Sequence, residues 1–112
     1  SFEIAKSLGI HIERTKICGG GAKSPLWKKM IANILNIKVD VIESEEGPAL
    51  GGAMLAAVAN GEFASVEDAA AKIVKVIDTV EPEPELAAKY EEKYRKFAKI
   101  YPTVKDLFSE IQ

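Results

Sequence analysis

The sequence is poor in the residues that bind metals or form cross-links. Its 112 residues include one cysteine, Cys18, and one histidine, His11. A single cysteine excludes an internal disulfide, and one thiol with one imidazole is too few for a zinc site. The sequence therefore predicts no metal site and no nucleophile of its own. Cys18 is predicted to be a small buried residue at a strand end.

An excess of one charge and long apolar runs are also missing. Fifteen basic and seventeen acidic residues leave a net charge of −2. The sequence therefore offers no excess of positive charge to attract nucleic acids or membrane surfaces. No window approaches the roughly 20 apolar residues of a membrane span, and no basic start leads into an apolar signal core. We expect a cytoplasmic protein that has neither nucleic acid nor membrane as a partner.

What is present fits one globular α/β domain, with 47% hydrophobic and 29% charged residues. The segment Ile12–Cys18 is predicted to be a strand, and Val39–Ile42 a second strand. Between them, Ser24 and Pro25 start a helix whose apolar residues recur at helical spacing. A strand, helix and strand over about thirty residues predict a βαβ unit with two parallel strands.

The faces of that first long helix are assigned from the same spacing. The residues predicted to pack on a core are Trp27, Met30, Ile31, Ile34 and Leu35. Lys28, Lys29 and Asn33 are predicted to face away.

A second helix is predicted from Gly47 to about Asn60, and it carries no charge on any face. A helix of this composition is predicted to be enclosed by protein. Adjacent glycines, Gly51 and Gly52, weaken a helix and predict the close approach of another backbone or a ligand.

The rest of the chain is predicted to be mainly helical. Ser65, with Asp68 three residues later, predicts a capped helix that ends near Ile73. Residues 74–80 fit neither a helix nor a strand clearly. After the proline-rich segment 81–84, two amphipathic helices separated at Pro102 are predicted to dock on one face of the protein.

The candidate site is the loop Cys18–Ser24, which contains three consecutive glycines between a strand and a helix. Main-chain N–H groups without side chains can approach an anion there, and ligands of open α/β sheets bind at the carboxyl ends of strands. The alternative is that the glycines only permit a sharp turn. Lys23 could contact a phosphate, although a solvated lysine is the simpler interpretation.

Two common phosphate-binding motifs do not fit this loop. The P-loop motif needs glycines where Ile17 and Ala22 stand. The dinucleotide motif fits Gly19 and Gly21 but has Ser24 in place of its third glycine. A small Rossmann-like binder of another phosphate ligand is therefore disfavoured.

The segments Cys18–Leu35 and Glu46–Ala53 together resemble the carboxyl-terminal domain of the FGGY carbohydrate kinases, and most closely those that phosphorylate pentuloses. The resemblance is strongest over residues 13–60. It implies that residues 1–112 are the carboxyl-terminal part of the second, nucleotide-side domain, in a partial ribonuclease H-like fold of the actin and hexokinase type. Lys29 and Asn33 depart from the family, which often has glutamine or an acid there.

The resemblance also implies the function and the site. Gly19, Gly20, Gly21, Ala22 and Ser24 correspond to the family's adenosine-side motif and become nucleotide-binding residues. The complete kinase would use ATP and Mg²⁺ to convert D-xylulose or a related sugar into D-xylulose 5-phosphate. The catalytic aspartate, the sugar pocket and the first phosphate loop lie upstream in the family, so the chain alone is expected to be inactive. By the same resemblance, Gly47, Pro48 and Gly51 support the neighbouring core helix and do not touch substrate.

A different class of function stays open. The chain could be a non-catalytic α/β interaction domain in which the glycine loop is only a turn. Exposed apolar surface could also favour a homo-oligomer.

Overall fold

The computed structural model describes all 112 residues, which form six helices, three strands and one 3-10 turn. No helix is long and apolar enough to cross a membrane. The elements are α1 (Phe2–Ser7), β1 (Arg14–Ile17), the 3-10 turn (Gly20–Lys23), α2 (Pro25–Leu35), β2 (Lys38–Ile42), α3 (Gly47–Ala59), α4 (Val66–Ile73), β3 (Val76–Val80), α5 (Pro84–Phe97) and α6 (Ile100–Glu110).

The three strands form one sheet in the order β1-β2-β3. β1 and β2 are parallel, with Arg14 opposite Lys38, which confirms the predicted βαβ unit. β3 adds an antiparallel edge, with Val39 opposite Val80. The segment that fitted neither pattern thus contains a strand, and its β-branched residues suit one.

Helix α2 lies between the sheet and α5, and this position corrects the predicted faces of the helix. Trp27 and Ile34, predicted to pack, are 57% and 45% exposed. Asn33, predicted to face solvent, is buried, and the side chain of Lys28 is only 17% exposed. The Oδ1 of Asn33 accepts a hydrogen bond of 2.7 Å from the N–H of Glu83, so a buried amide is satisfied while it holds the start of α5.

The two carboxyl-terminal helices behave differently. α5 packs against α2, which confirms that this helix docks, and its buried residue is Ala87. α6 has no buried residue, so the prediction that both helices dock is wrong for α6. The break between them falls at Ala98 and Lys99 rather than at Pro102, because a proline in the first turn of a helix needs no hydrogen-bond donor.

Helix α3 has the predicted bounds but is not enclosed within this chain. None of its residues is buried, Leu55 is 60% exposed, and its main neighbour is α4. Nothing lies within 4 Å of a Cβ placed on Gly51 or Gly52, so no other part of these 112 residues makes the predicted close approach. Helix α3 carries apolar residues on every side, but within these 112 residues it packs mainly against α4, on one side. The capped start of α4 is confirmed, since Ser65 Oγ accepts from the N–H of Asp68 at 3.1 Å.

Candidate functional site

The glycine loop begins directly after β1 and turns sharply. Gly19 has φ +87°, a conformation that favours glycine. The N–H of Ala22 donates to the carbonyl of Gly19 at 3.1 Å, and the N–H of Ser24 donates to that of Gly21 at 3.3 Å. Gly20 and Gly21 are the first two residues of the 3-10 turn, so the turn contains no carbonyl to which their N–H groups can donate. They are the donors that a ligand could use.

The space over these glycines is open. No atom lies within 4 Å of a Cβ placed on Gly19, Gly20 or Gly21, and the last two are exposed. No side chain therefore lies between this stretch of main chain and solvent. Exposed glycines with open space beside them are compatible with the predicted anion site.

The other two predicted site residues have structural contacts. The side chain of Ala22 is buried. Ser24 Oγ accepts from the N–H of Trp27 at 3.3 Å and caps α2, as the sequence predicts. Ala22 and Ser24 thus anchor the turn, whereas the three glycines present it to solvent.

A second loop, Glu43–Glu46, follows β2 and lies beside the glycine loop. Lys23 Nζ lies 3.0 Å from Glu45 Oε1. A Cβ placed on Gly47 would lie 2.6 Å from Cys18 Sγ, closer than real atoms approach. The glycine loop therefore meets the second loop at Glu45 and the start of α3 at Gly47. Cys18 is exposed rather than buried, because its thiol lies between these loops rather than within the core.

A charged cluster on the sheet was not predicted from the sequence. Arg14 on β1 donates two hydrogen bonds to the buried Asp40 on β2, at 2.9 and 2.8 Å. Thr79 on β3 donates a third, at 2.8 Å. These bonds, first the one from Arg14 and then the one from Thr79, lower the pKa of Asp40 below its usual value. The only signal in the sequence is the alternation of charged residues along β1 and β2.

These features define a class of site. An open glycine turn at the carboxyl end of a parallel strand, followed by a capped helix, is typical of loops that bind nucleotides or other phosphates. No group of three or more histidine, cysteine, aspartate or glutamate residues is placed to hold a metal ion.

Comparison with known proteins identifies the family. Residues 2–60 match the model of the FGGY family of carbohydrate kinases, C-terminal domain. The chain belongs to this family, and the resemblance inferred from its motifs is confirmed.

Individual relatives extend the likeness over almost the whole chain. The xylulose kinase of Bacillus subtilis (strain 168) is 36% identical over 107 residues, 96% of this chain and 21% of that protein. The ribulokinase of Geobacillus thermodenitrificans is 34% identical over 99 residues, 83% of this chain and 18% of that protein. This chain thus spans about a fifth of the length of the curated relatives that it matches.

A solved structure supports the fold. The ligand-bound xylulose kinase from Lactobacillus acidophilus superposes with a TM-score of 0.84 over 99% of this chain and 23% of that one, at 18% identity. This likeness confirms the predicted fold class, since the chain shares the α/β fold of the matching part of that structure.

Proposed function

We propose that residues 1–112 are the carboxyl-terminal, nucleotide-side part of a cytoplasmic pentulose kinase. The complete kinase transfers the γ-phosphate of ATP to D-xylulose and releases D-xylulose 5-phosphate. The family assignment supports the kinase class, and the names of the xylulose kinase and ribulokinase relatives support a pentulose substrate.

The open glycine loop is the observation that carries the proposal. ATP brings phosphates and a ribose to main-chain N–H groups that no side chain covers, those of Gly20 and Gly21. Gly19 makes the turn possible, and Ala22 and Ser24 fix the loop to the core and to α2. The loop binds and orients the nucleotide, and orientation is a large part of catalysis in phosphoryl transfer.

The remaining chemistry belongs to other parts of the kinase. Phosphoryl transfer also needs a group that positions the sugar hydroxyl and carboxylates that hold Mg²⁺ with the phosphates. We assign these groups, and the sugar pocket, to the four fifths of the relatives' length that this chain does not span. The chain alone is therefore expected to bind a nucleotide weakly and to phosphorylate no sugar.

Substitution of Gly21 by leucine tests the site. Gly21 has no positive φ and open space at its Cβ, so leucine fits the free loop but blocks the approach of a ligand. We expect nucleotide affinity to fall by about tenfold or more, measured by NMR titration of the chain with ADP and ATP and followed at the loop amides. Gly52→Leu is the matched control, since Gly52 is also open, has no positive φ and lies in α3.

Two results would contradict the proposal. If the Gly21→Leu variant and the unmodified chain bind nucleotide with equal affinity, the nucleotide does not bind at this loop. A titration without any shift at the loop amides would favour the interaction-domain alternative. The division of labour is tested separately: we expect turnover of ATP and D-xylulose only when the chain is joined to the first four fifths of the Bacillus subtilis relative.

A further inference from the structure

The glycine loop after β1 contacts the segment after β2 at two points. That segment comprises the second loop and Gly47, the first residue of α3. At their base, Cys18 Sγ lies where a side chain on Gly47 would be, so the absence of that side chain lets the loops meet. At their rim, the ion pair of Lys23 and Glu45 spans from the end of the 3-10 turn to the second loop. The open main chain of Gly20 and Gly21 lies between these two contacts along the chain.

We propose that the Lys23–Glu45 ion pair is a positioning device for the nucleotide site. It holds the glycine loop against the second loop in the conformation that receives phosphate, and neither side chain binds the ligand. This inference rests on the proposed function, because it assigns to Lys23 and Glu45 a role at the same loop.

The three glycines give the loop a conformational freedom that the ion pair can restrict. Three consecutive glycines have a larger conformational range than any other residues, and the space around them is empty, so packing restrains them little. Lys23 is the last residue of the turn that begins at Gly20. A contact that fixes Lys23 therefore shortens the free segment, and ordering a loop before binding increases affinity.

The size and the salt dependence of the effect follow from exposure. The side chains of Lys23 and Glu45 are 63% and 65% exposed. Exposed ion pairs contribute little and are screened by salt. We expect a change in affinity of about two- to fivefold at low salt and almost none in about 1 M salt.

Direct phosphate binding by Lys23 predicts the opposite sign for one variant. If Lys23 held a phosphate, removing the competing carboxylate of Glu45 would free the ammonium group and strengthen binding. Charge alone gives the same expectation, since Glu45 repels an anion. The positioning role instead predicts that Glu45→Gln weakens binding.

The experiment is a charge-exchange cycle in the 112-residue chain. Lys23→Glu, Glu45→Lys, Glu45→Gln and the double exchange are titrated with ADP by NMR at low and high salt. The order parameters of the Gly20 and Gly21 amides are measured without ligand. Exchange of the exposed α5 pair Glu92 and Lys96, 2.9 Å apart, is the matched control and should change neither quantity.

We expect each single variant to weaken ADP binding about two- to fivefold and to lower the order parameters, and the double exchange to restore both. Tighter binding by Glu45→Gln, or a double exchange as weak as the single variants, would overturn the inference. Failure of the proposed function gives other results. In that case the NMR shifts caused by nucleotide would be the same in Gly21→Leu as in the unmodified chain, or the loop amides of the unmodified chain would not shift at all. If the variants lower the order parameters of the loop but leave ADP affinity unchanged, the positioning role is likewise overturned.

Discussion

The half of the molecule built from the sheet, α2 and α5 differs sharply from the half built from α3, α4 and α6. The first half holds most of the buried residues, which are Ala32, Asn33, Ile37, Val39, Asp40, Val41 and Ala87. α3 and α6 bury none, although α3 is composed almost entirely of apolar residues. The difference teaches that apolar composition alone does not bury a helix, because burial also requires a complementary surface within reach.

The overall dimensions carry the same lesson. The Cα radius of gyration is 18.4 Å, whereas a compact domain of about 100 residues has one of about 13 Å. Only nine of the 112 residues are buried. We expect the rest of a complete kinase to cover the apolar faces of α3 and α6.

The largest expected effect is that of Leu55→Ala on α3, and it depends on context. In the chain alone Leu55 is 60% exposed, so the free energy of unfolding should change by less than about 0.5 kcal/mol. In the chimeric kinase, which joins the chain to the first four fifths of the Bacillus subtilis relative, the same change should lower the free energy of unfolding by about 2–5 kcal/mol, as for a buried leucine. Denaturant titrations of both proteins give the two values.

Val39→Ala is the matched change in the first half. Val39 on β2 is fully buried in the chain alone, so its loss should cost about 2 kcal/mol in either protein. An equally small effect of Leu55→Ala in the chimera would show that α3 remains uncovered there.

The part of the fold that could be predicted from sequence is the part set by local interactions. Ser24 and Ser65 mark helix starts because a hydroxyl accepts a nearby N–H, and both bonds are present. The βαβ unit follows from periodicity and length. The exposure of Trp27 and of α6, and the burial of Asn33, could not be predicted, because they depend on which distant elements pack against each helix.

The candidate site divides in the same way. The glycine turn was predictable because its main-chain geometry is encoded within seven consecutive residues. The contact of Cys18 with Gly47 and the ion pair of Lys23 with Glu45 join different loops, and spacing alone does not reveal them. The cluster around Asp40 joins residues 26 and 39 positions apart on three strands.

A smaller effect is expected at the junction of the two halves. Gly47→Ala places a methyl group 2.6 Å from Cys18 Sγ, so either the exposed thiol must rotate away or the start of α3 must shift. We expect a loss of stability of no more than about 1 kcal/mol, because the displaced atom is the end of an exposed side chain. Thermal unfolding of the chain measures it.

Cys18→Ala provides the control for this junction. Because it removes the sulfur atom, the Cys18→Ala, Gly47→Ala double variant should recover most of the lost stability. A double variant as unstable as Gly47→Ala would mean that the thiol is not the obstacle and that α3 is attached to the sheet by other contacts.

The smallest effect is confined to acid and to the first half. Hydrogen bonds from Arg14 and Thr79 lower the pKa of Asp40 in the folded state. Its contribution to stability is therefore complete above the unfolded pKa of about 3.9 and is lost as the pH falls through the lower folded pKa. As the pH falls from about 7 to about 2, the unfolding midpoint of Asp40→Asn should decline less than that of the unmodified chain. Thr79→Val, which removes one donor, should lie between them, and parallel curves for all three would show that the cluster does not link the strands.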